Sequence, residues 1–287
     1  MKPPRVLTIA GSDPSGGAGL QADLKTFHAF GCYGMAVVTA LTAQNTVGVQ
    51  DVHAIPVEFV DSQIASLVAD CPPLATKVGM LHSRAVIEVV ARWAETGALG
   101  RLVVDPVMLA TSGDALLLPD AVELLQSRLL PLAEVVTPNA PEAVRLLAEH
   151  SVGKADTDES PEVDPESAAR RLCAILGTAV LVKGGHGTGE TVRDALAIVD
   201  EEGALAWERP RLSVGASHGT GCTLSAGIAA GLSLGLGLRE SVTRAGDFVH
   251  SGLRHAFAVG AGAVPVNHLA PFPGPDVALA GARNDGR

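Results

Sequence analysis

Short apolar runs alternate along the chain with longer segments whose apolar residues recur at helical spacing. The runs, each bounded by turn residues, predict strands at residues 5–10, 34–40, 76–80, 101–105, 134–137 and 179–183. The segments between them predict helices, among them residues 57–69, 83–96, 120–130 and 142–150. Strands that alternate with helices form parallel sheets covered on both faces, so we predict an α/β fold in three layers with a mostly parallel central sheet.

The pattern changes after residue 183. Two β-like pieces at residues 191–199 and 204–208 lead through a glycine-rich turn to two long helices rich in Ala, Leu and Gly, near residues 220–236 and 239–257. These segments are expected to form one edge of the sheet and the helices that close the fold.

Two segments lack periodicity. Residues 150–165 are acidic and polar and predict a mobile surface loop, and the Pro/Gly/Ala-rich residues 271–287 predict a flexible tail. The chain shows no internal repeat and no shift in composition, so we expect one domain over residues 1–270, with no separate lid domain.

Composition restricts the functional class. With 287 residues, 47% of them hydrophobic, and a mean hydropathy of +0.29, the chain can build a large core. The formal charge of −10 argues against an extended nucleic-acid surface. No run reaches the roughly 18 apolar residues of a membrane span and no signal-peptide pattern is visible, so we expect a cytoplasmic protein. The spacing of the four cysteines predicts neither a disulfide framework nor a zinc site; they are Cys32, Cys71, Cys173 and Cys222.

Ligands of open α/β sheets bind beyond the carboxyl ends of the strands, and polar or glycine-rich residues follow each strand predicted here. The first such segment, residues 11–19, lacks both the GxxxxGK[ST] and the GxGxxG spacing. Its neighbouring carboxylates, Asp13 and Asp23, would repel a triphosphate. This segment therefore predicts a substrate contact or a plain tight turn.

The strongest local signal is the segment at residues 217–226, where glycines precede a predicted helix. Backbone N–H groups and the helix dipole at such a start favour an anion, such as a transferring phosphoryl group. Cys222 falls in the first helical turn, a position that lowers a thiol pKa and favours a base or nucleophile. A buried cysteine that packs the helix start is the alternative.

The motifs as a set resemble the hydroxymethylpyrimidine/phosphomethylpyrimidine kinase family of thiamine biosynthesis, in that family's order and over roughly residues 5–255. They are Gly11-Ser12-Asp13, Ser15-Gly16-Gly17-Ala18-Gly19, Gln21-Ala22-Asp23-Leu24-Lys25, Leu41-Thr42-Ala43-Gln44-Asn45-Thr46, Asp105-Pro106-Val107-Met108, Thr137-Pro138-Asn139-Ala140-Pro141-Glu142, Val182-Lys183-Gly184-Gly185-His186 and His218-Gly219-Thr220-Gly221-Cys222-Thr223. The resemblance implies a ribokinase-like α/β/α sandwich without the β lid. It also implies ATP-dependent phosphorylation of 4-amino-5-hydroxymethyl-2-methylpyrimidine and then of its monophosphate.

The resemblance also implies roles for individual residues. Cys222 is expected to act as base, with the N–H groups of Gly219, Thr220 and Gly221 as anion hole. The expected pyrimidine contacts are Gly11, Asp23, Gln44, Met80 and Val107, and the expected nucleotide contacts are Lys183, Asn139 and Ser217.

Asp105 and Glu142 follow successive strands, as expected of ligands for Mg²⁺ bound with ATP. Asp105 could instead belong to a turn, and Glu142 could be a charge favoured by a helix start. The sequence leaves open whether a monovalent cation assists in addition to Mg²⁺. We further expect a homo-oligomer, a dimer, whose ligands are ATP and a small molecule, without nucleic acid or membrane partners.

The chain departs from the family pattern at Ala216-Ser217, where Asn-Thr is usual, which leaves a nucleotide or cation contact in question. Pyridoxal kinase on the same fold is the nearest rival, because it shares the cysteine turn, and Gln44 argues against it. A sugar or nucleoside kinase is disfavoured by Cys222 in place of Asp. A non-catalytic ligand sensor would have little reason to hold Lys183 and Cys222 together.

Overall fold

The computed structural model describes residues 2–108, 117, 121–148, 164–185, 187, 189–214 and 217–272. Its centre is a nine-stranded sheet in the order β3-β2-β1-β4-β5-β6-β7-β8-β9. The strands are β1 (Arg5–Ser12), β2 (Tyr33–Gln44), β3 (Val49–Ala54), β4 (Ala75–Val78), β5 (Arg101–Val104), β6 (Val135–Val136), β7 (Ala179–Val182), β8 (Thr191–Ala197) and β9 (Leu205–Pro210). A separate short parallel pair joins β10 (Ser217–His218) and β11 (Val264–Pro265).

Strands β2, β1, β4, β5, β6 and β7 pair in parallel, whereas β3, β8 and β9 are antiparallel at the two edges. Each parallel strand must be reached by a crossover, which explains the helices between them. The helices are α1 (Gly19–Ala29), α2 (Val57–Asp70), α3 (Arg84–Glu95), α4 (Val122–Leu124), α5 (Ala140–Ala148), α6 (Pro165–Leu176), α7 (Thr220–Ser233) and α8 (Leu238–Arg254). The predicted α/β/α sandwich is confirmed.

Two hydrophobic clusters sandwich the sheet. One packs residues of α2, α3, α5 and α6 against one sheet face, with Ile64, Val90 and Leu146 fully buried. The other packs α1, α7 and α8 against the opposite face, with Phe27, Ile228 and Phe248 fully buried. The central strands are covered on both faces, so all four residues of β4 and of β7 are buried.

The strand order reverses between β1 and β4, because the chain first adds β2 on one side of β1 and later adds β4 on the other. Such a switch point leaves a crevice beyond the carboxyl ends of the two strands. The segments that follow β1 and β4 therefore converge on one site.

Several predicted elements need correction. Strand β2 runs on to Gln44 because β3 pairs with it, and β3 escaped prediction because its exposed-edge sequence, Val-Gln-Asp-Val-His-Ala, has no apolar alternation. Helix α6 was also not predicted, although Asp164 caps its start and Gly177 ends it in a left-handed conformation. The helix predicted at 120–130 changes from α geometry to a π turn at Leu125–Leu129.

Residues 150–163 of the predicted acidic loop and residues 273–287 of the predicted tail lie outside the described residues. Helix α6 begins at Pro165, the last residue of that predicted loop. The single-domain boundary stays a prediction. Among the described residues, no helix is long and apolar enough to cross a membrane.

Candidate active site

A cavity of about 790 Å³ lies beyond the carboxyl ends of the central strands. It gathers predicted site residues from seven separate segments of the chain. Those on its wall are Gly11, Gln44, Met80, Asp105, Val107, Asn139, Glu142, Lys183, Ser217, Gly219, Thr220, Gly221 and Cys222. Asp23 is the one predicted site residue that does not line it.

Two glycine-rich turns, about 200 residues apart in the chain, interlock at this cavity. Gly219 has φ +79°, and a Cβ there would collide with the carbonyl oxygen of Gly17. A Cβ at Gly17 would in turn lie 2.6 Å from Cδ2 of His218. Glycine is therefore required at both positions for the turns to approach each other, which explains two glycine signals in the sequence.

The first turn is already occupied by its own carboxylate. Asp13 accepts hydrogen bonds from the backbone N–H groups of Ser15, at 2.9 Å, and Ala18, at 2.8 Å. Burial opposes ionisation of Asp13, but the hydrogen bond from His218 and those from the two N–H groups outweigh it and lower its pKa to about 2. A phosphate would compete with this carboxylate, so the first turn is not suited to bind the triphosphate.

The second turn leads into helix α7, whose cap residue Gly219 provides no side-chain hydrogen bond to the helix start. Thr220, Gly221 and Cys222 line the cavity in the first turn of this helix. Free N–H groups at a helix N-terminus attract an anion. The geometry therefore fits an anion hole at the position expected from sequence.

Lys183 and Asp105 form an ion pair beside this helix start, with Nζ 2.7 Å from Oδ1. A Cβ at Gly221 would lie 3.0 Å from Lys183 Nζ and 3.4 Å from Asp105 Oδ2. Burial opposes the charge of Lys183, but the carboxylates of Asp105 and Glu142 outweigh it and raise its pKa. The ammonium is therefore charged and adjacent to the anion hole.

Glu142 and Asn139 form a reciprocal cap at the start of α5. The backbone N–H of Asn139 donates to Glu142 Oε2 and the backbone N–H of Glu142 donates to Asn139 Oδ1, both at 2.8 Å. Burial raises the pKa of Glu142 to about 7, and Asp105 contributes to the rise while Lys183 opposes it. Glu142 thus caps the start of α5, and it is also close enough to Asp105 for that charge to affect its pKa.

The Cys222 thiol requires a correction to the sequence analysis, which expected a lowered pKa. Burial raises its pKa to about 11, and the carboxylates of Asp23 and Asp105 add to the rise, whereas Lys77 and a hydrogen bond from the Gly19 N–H oppose it. Desolvation and nearby carboxylates therefore outweigh the Lys77 charge and the Gly19 hydrogen bond. In the ligand-free protein the thiol is protonated at neutral pH.

Asp23 also differs from its expected role as a direct substrate contact. It is fully buried and forms an ion pair with Lys77, 2.8 Å from Nζ, and accepts a hydrogen bond from Thr8 at 2.6 Å. Its carboxylate is satisfied beneath the cavity. Lys77, which sequence reasoning missed, lines the cavity floor, and a lysine inside a wholly buried strand was the available signal.

Gly11, Gln44, Met80 and Val107 lie at or just after the ends of β1, β2, β4 and β5. These strands are neighbours in the sheet, so the four residues form one end of the cavity. A Cβ at Gly11 would lie 2.9 Å from the sulfur of Met80, so the thioether packs directly on the glycine backbone. This end offers apolar surface together with the Gln44 amide, a combination suited to a flat heteroaromatic ring.

The wall includes further residues that the sequence analysis did not select. Leu212 and Val214 follow β9, and Val249, His250 and Leu253 come from helix α8. Apolar side chains on these two elements provide a surface for a second flat group. In α8 the apolar residues recur at the spacing of an ordinary core-packing helix, so the sequence gave no signal that they line a cavity.

An α/β sandwich with an anion-binding helix start, a charged lysine and two carboxylates at the sheet mouth is the architecture of a small-molecule kinase. The family model described as phosphomethylpyrimidine kinase matches residues 13–267. The chain belongs to this family.

Named relatives agree with this assignment, and a solved structure of another vitamin kinase shares the fold. The hydroxymethylpyrimidine/phosphomethylpyrimidine kinase of Escherichia coli K12 is 45% identical over 272 residues, which are 94% of this chain and 98% of that protein. A thiamine biosynthesis multifunctional protein of Corynebacterium efficiens is 43% identical over 270 residues, and the chain spans only 35% of its length. The ADP complex of Bacillus subtilis pyridoxal kinase superposes with a TM-score of 0.80 at 32% identity, covering 94% of this chain and 98% of that one.

Proposed function

We propose that this chain transfers the γ-phosphoryl group of ATP to the hydroxymethyl group of 4-amino-5-hydroxymethyl-2-methylpyrimidine, and then phosphorylates the monophosphate to the diphosphate. The observation that carries the proposal is that Gln44 and the start of α7 line the same cavity. Since ATP is the phosphate donor, we further propose that the protein acts in the cytoplasm.

The amide of Gln44 supports recognition of the pyrimidine. An aminopyrimidine presents an exocyclic N–H donor beside a ring-nitrogen acceptor, and a side-chain amide presents the complementary acceptor and donor. Gln44 is the last residue of β2, and β3 pairs with it through Val49, so the strand holds its backbone in place. Met80 and Val107 would contact the ring faces.

The start of α7 supports the transfer step. Phosphoryl transfer depends mainly on positioning and on stabilising charge at the phosphoryl oxygens. The N–H groups of Gly219, Thr220 and Gly221 and the ammonium of Lys183 would meet that charge. The thiolate form of Cys222 would accept the proton of the substrate hydroxyl. The apolar wall from α8 and the segment after β9 would hold the adenine ring.

The residues at the sheet mouth also fit a magnesium ion bound together with ATP. Mg²⁺ commonly uses one or two protein carboxylates plus phosphate oxygens and water. Asp105 and Glu142 offer that pair, and the charge of Asp105 adds to the burial that raises the pKa of Glu142. Over the described ranges, no group of three or more His, Cys, Asp or Glu side chains could hold a metal by itself. Bound there, the ion would neutralise phosphate charge.

Pyridoxal kinase activity is the second candidate, favoured by the similarity to the Bacillus subtilis structure. Pyridoxal also presents a hydroxymethyl group on a flat heteroaromatic ring. It has no amino group beside a ring nitrogen, so it would leave the Gln44 amide partly unpaired. We therefore place it second.

A substrate panel tests the proposal. With Mg²⁺ and ATP, we expect ADP release to be faster with hydroxymethylpyrimidine than with pyridoxal or ribose, measured as kcat/KM in a coupled assay. Reaction without ring compound is the control. A clear preference for pyridoxal would reverse the assignment.

Replacing Gln44 by leucine should weaken pyrimidine binding by about 1–3 kcal/mol, because the ring's polar groups lose their partners. ATP affinity should stay nearly unchanged, since the nucleotide is expected at the other end of the cavity. Calorimetric Kd values for both ligands check this. A pyrimidine Kd equal to that of the wild type would remove Gln44 from the substrate site.

A further inference from the structure

Gln44 belongs to a partly buried polar network that joins the two glycine-rich turns. His218 Nε2 lies 3.0 Å from Asp13 Oδ2 and 3.2 Å from the Gln44 amide. On the other side of the amide, Thr42 Oγ1 lies 3.2 Å from Gln44 and 2.8 Å from the carbonyl oxygen of Ser12. Both polar atoms of the Gln44 side chain therefore have a hydrogen-bond partner, His218 for one and Thr42 for the other.

Proton counting at Thr42 fixes one side of the amide. The hydroxyl has a single hydrogen, and the carbonyl oxygen of Ser12 can only accept, so that hydrogen goes to Ser12. The Thr42 oxygen is then left with lone pairs alone toward Gln44. The structure places Gln44 Oε1 toward Thr42 and Gln44 Nε2 toward His218, so the hydrogen count exchanges the two amide atoms. The amide atom that faces Thr42 must be the N–H donor.

Proton counting at His218 gives the same orientation independently. Asp13 already accepts backbone N–H bonds at both carboxylate oxygens and is an acceptor toward His218. The Nε2 atom of His218 therefore carries its hydrogen and donates it. A neighbour that shares this hydrogen must itself be an acceptor, so the Gln44 carbonyl oxygen faces His218. Amide oxygen and nitrogen have nearly the same shape, so the chemistry of the partners decides between them.

The ring of His218 is itself held in place. Only a glycine at position 17 leaves room for it, because a Cβ there would lie 2.6 Å from Cδ2. The His218 backbone pairs with Pro265 in the short β10–β11 ladder. The backbone position of His218, the plane of its ring and the Asp13 acceptor together place Nε2 of His218 next to Gln44.

We propose that His218 is a positioning residue that, with Asp13, fixes the donor–acceptor orientation of the Gln44 amide and so selects an aminopyrimidine edge. This inference rests on the proposed function and deepens it. In the fixed orientation the amide keeps one N–H and one oxygen lone pair for a ligand. A flipped amide would pair with the same ring only if the ring turned over, which would carry its hydroxymethyl group away from the start of α7.

Two substitutions at this residue separate the hydrogen bond from ring packing. H218Q keeps an N–H donor close to the position of Nε2, whereas H218L removes it, and H255Q at the exposed end of α8 serves as the control. We expect H218L to raise the pyrimidine KM about tenfold with the ATP KM unchanged, and H218Q to stay within about threefold of wild type. Equal effects of the two variants, or parallel rises in both KM values, would overturn the proposal.

A second measurement does not depend on enzyme turnover or on whether the H218L variant folds. Nitrogen-15 NMR of the ligand-free wild-type protein reports which His218 nitrogen carries hydrogen, with H218Q used to assign the signal. We expect hydrogen on Nε2, and hydrogen on Nδ1 alone would reject the proposed network. If Nε2 is protonated while the wild type fails to phosphorylate the pyrimidine, the amide orientation is supported and the proposed substrate is rejected.

Discussion

Replacing Cys222 by alanine is expected to lower kcat about 10²–10⁴-fold, the range that a positioned proton acceptor contributes. Cys222 lines the cavity in the first turn of α7, beside the Lys183–Asp105 pair. The side chain does not provide the anion hole, which is made of backbone N–H groups, so the Kd values of both substrates should stay within a few-fold. Steady-state kinetics, calorimetry and thermal unfolding of the variant check the three quantities.

The raised pKa of Cys222 gives this prediction a pH signature. A thiol with a pKa of about 11 is protonated at pH 7, and its thiolate fraction grows tenfold with each pH unit below that value. The rate kcat/KM should therefore rise with pH between about 6 and 9, and the alanine variant should lose that slope.

Two further variants control the interpretation. Cys71→Ala, at a thiol outside the cavity wall, should behave as wild type, and Cys222→Asp should recover part of the lost rate because it restores a carboxylate base. A stable Cys222→Ala protein with near-wild-type kcat would reduce Cys222 to a packing residue.

The sequence predicted the sheet and the cavity wall well because both depend on short local signals. Apolar runs mark the central strands, and residues that follow parallel strands necessarily share one edge of the sheet. Gly11, Asp105 and Lys183 could therefore be placed together from the sequence alone. The order of the strands, which sets the switch point beside β1, has no such local signal and was not predicted.

Contacts between residues that are far apart in the sequence could not be predicted from local sequence patterns. Asp23 looked like a substrate contact because it follows the first glycine turn, but its partner Lys77 lies 54 residues away and pulls it beneath the cavity. The helix-start rule predicted a lowered pKa for Cys222, yet the carboxylates and burial that raise it come from other elements. The contact of His218 with Asp13 likewise joins residues 205 positions apart.

Lys77→Met is expected to lower the free energy of unfolding by about 3–5 kcal/mol, because it leaves the carboxylate of Asp23 buried without its counter-ion. Both side chains have no solvent exposure, and the pair is joined at 2.8 Å between Nζ and Oδ2. Burial opposes the charge of Lys77, but the nearby carboxylates outweigh it and raise its pKa. Urea unfolding measures the change. Lys25→Met, at an exposed lysine of α1, should stay within about 0.5 kcal/mol of wild type.

The double variant Asp23→Asn/Lys77→Met separates loss of the pair from loss of packing. With both charges removed, the uncompensated carboxylate is gone, so the double variant should be more stable than Lys77→Met alone. Removing the Lys77 ammonium also removes a charge that favours the Cys222 thiolate, so alkylation of Cys222 should slow in the single variant. If Lys77→Met unfolds at the same urea concentration as wild type and its thiol reacts at the same rate, the buried pair neither stabilises the fold nor influences Cys222.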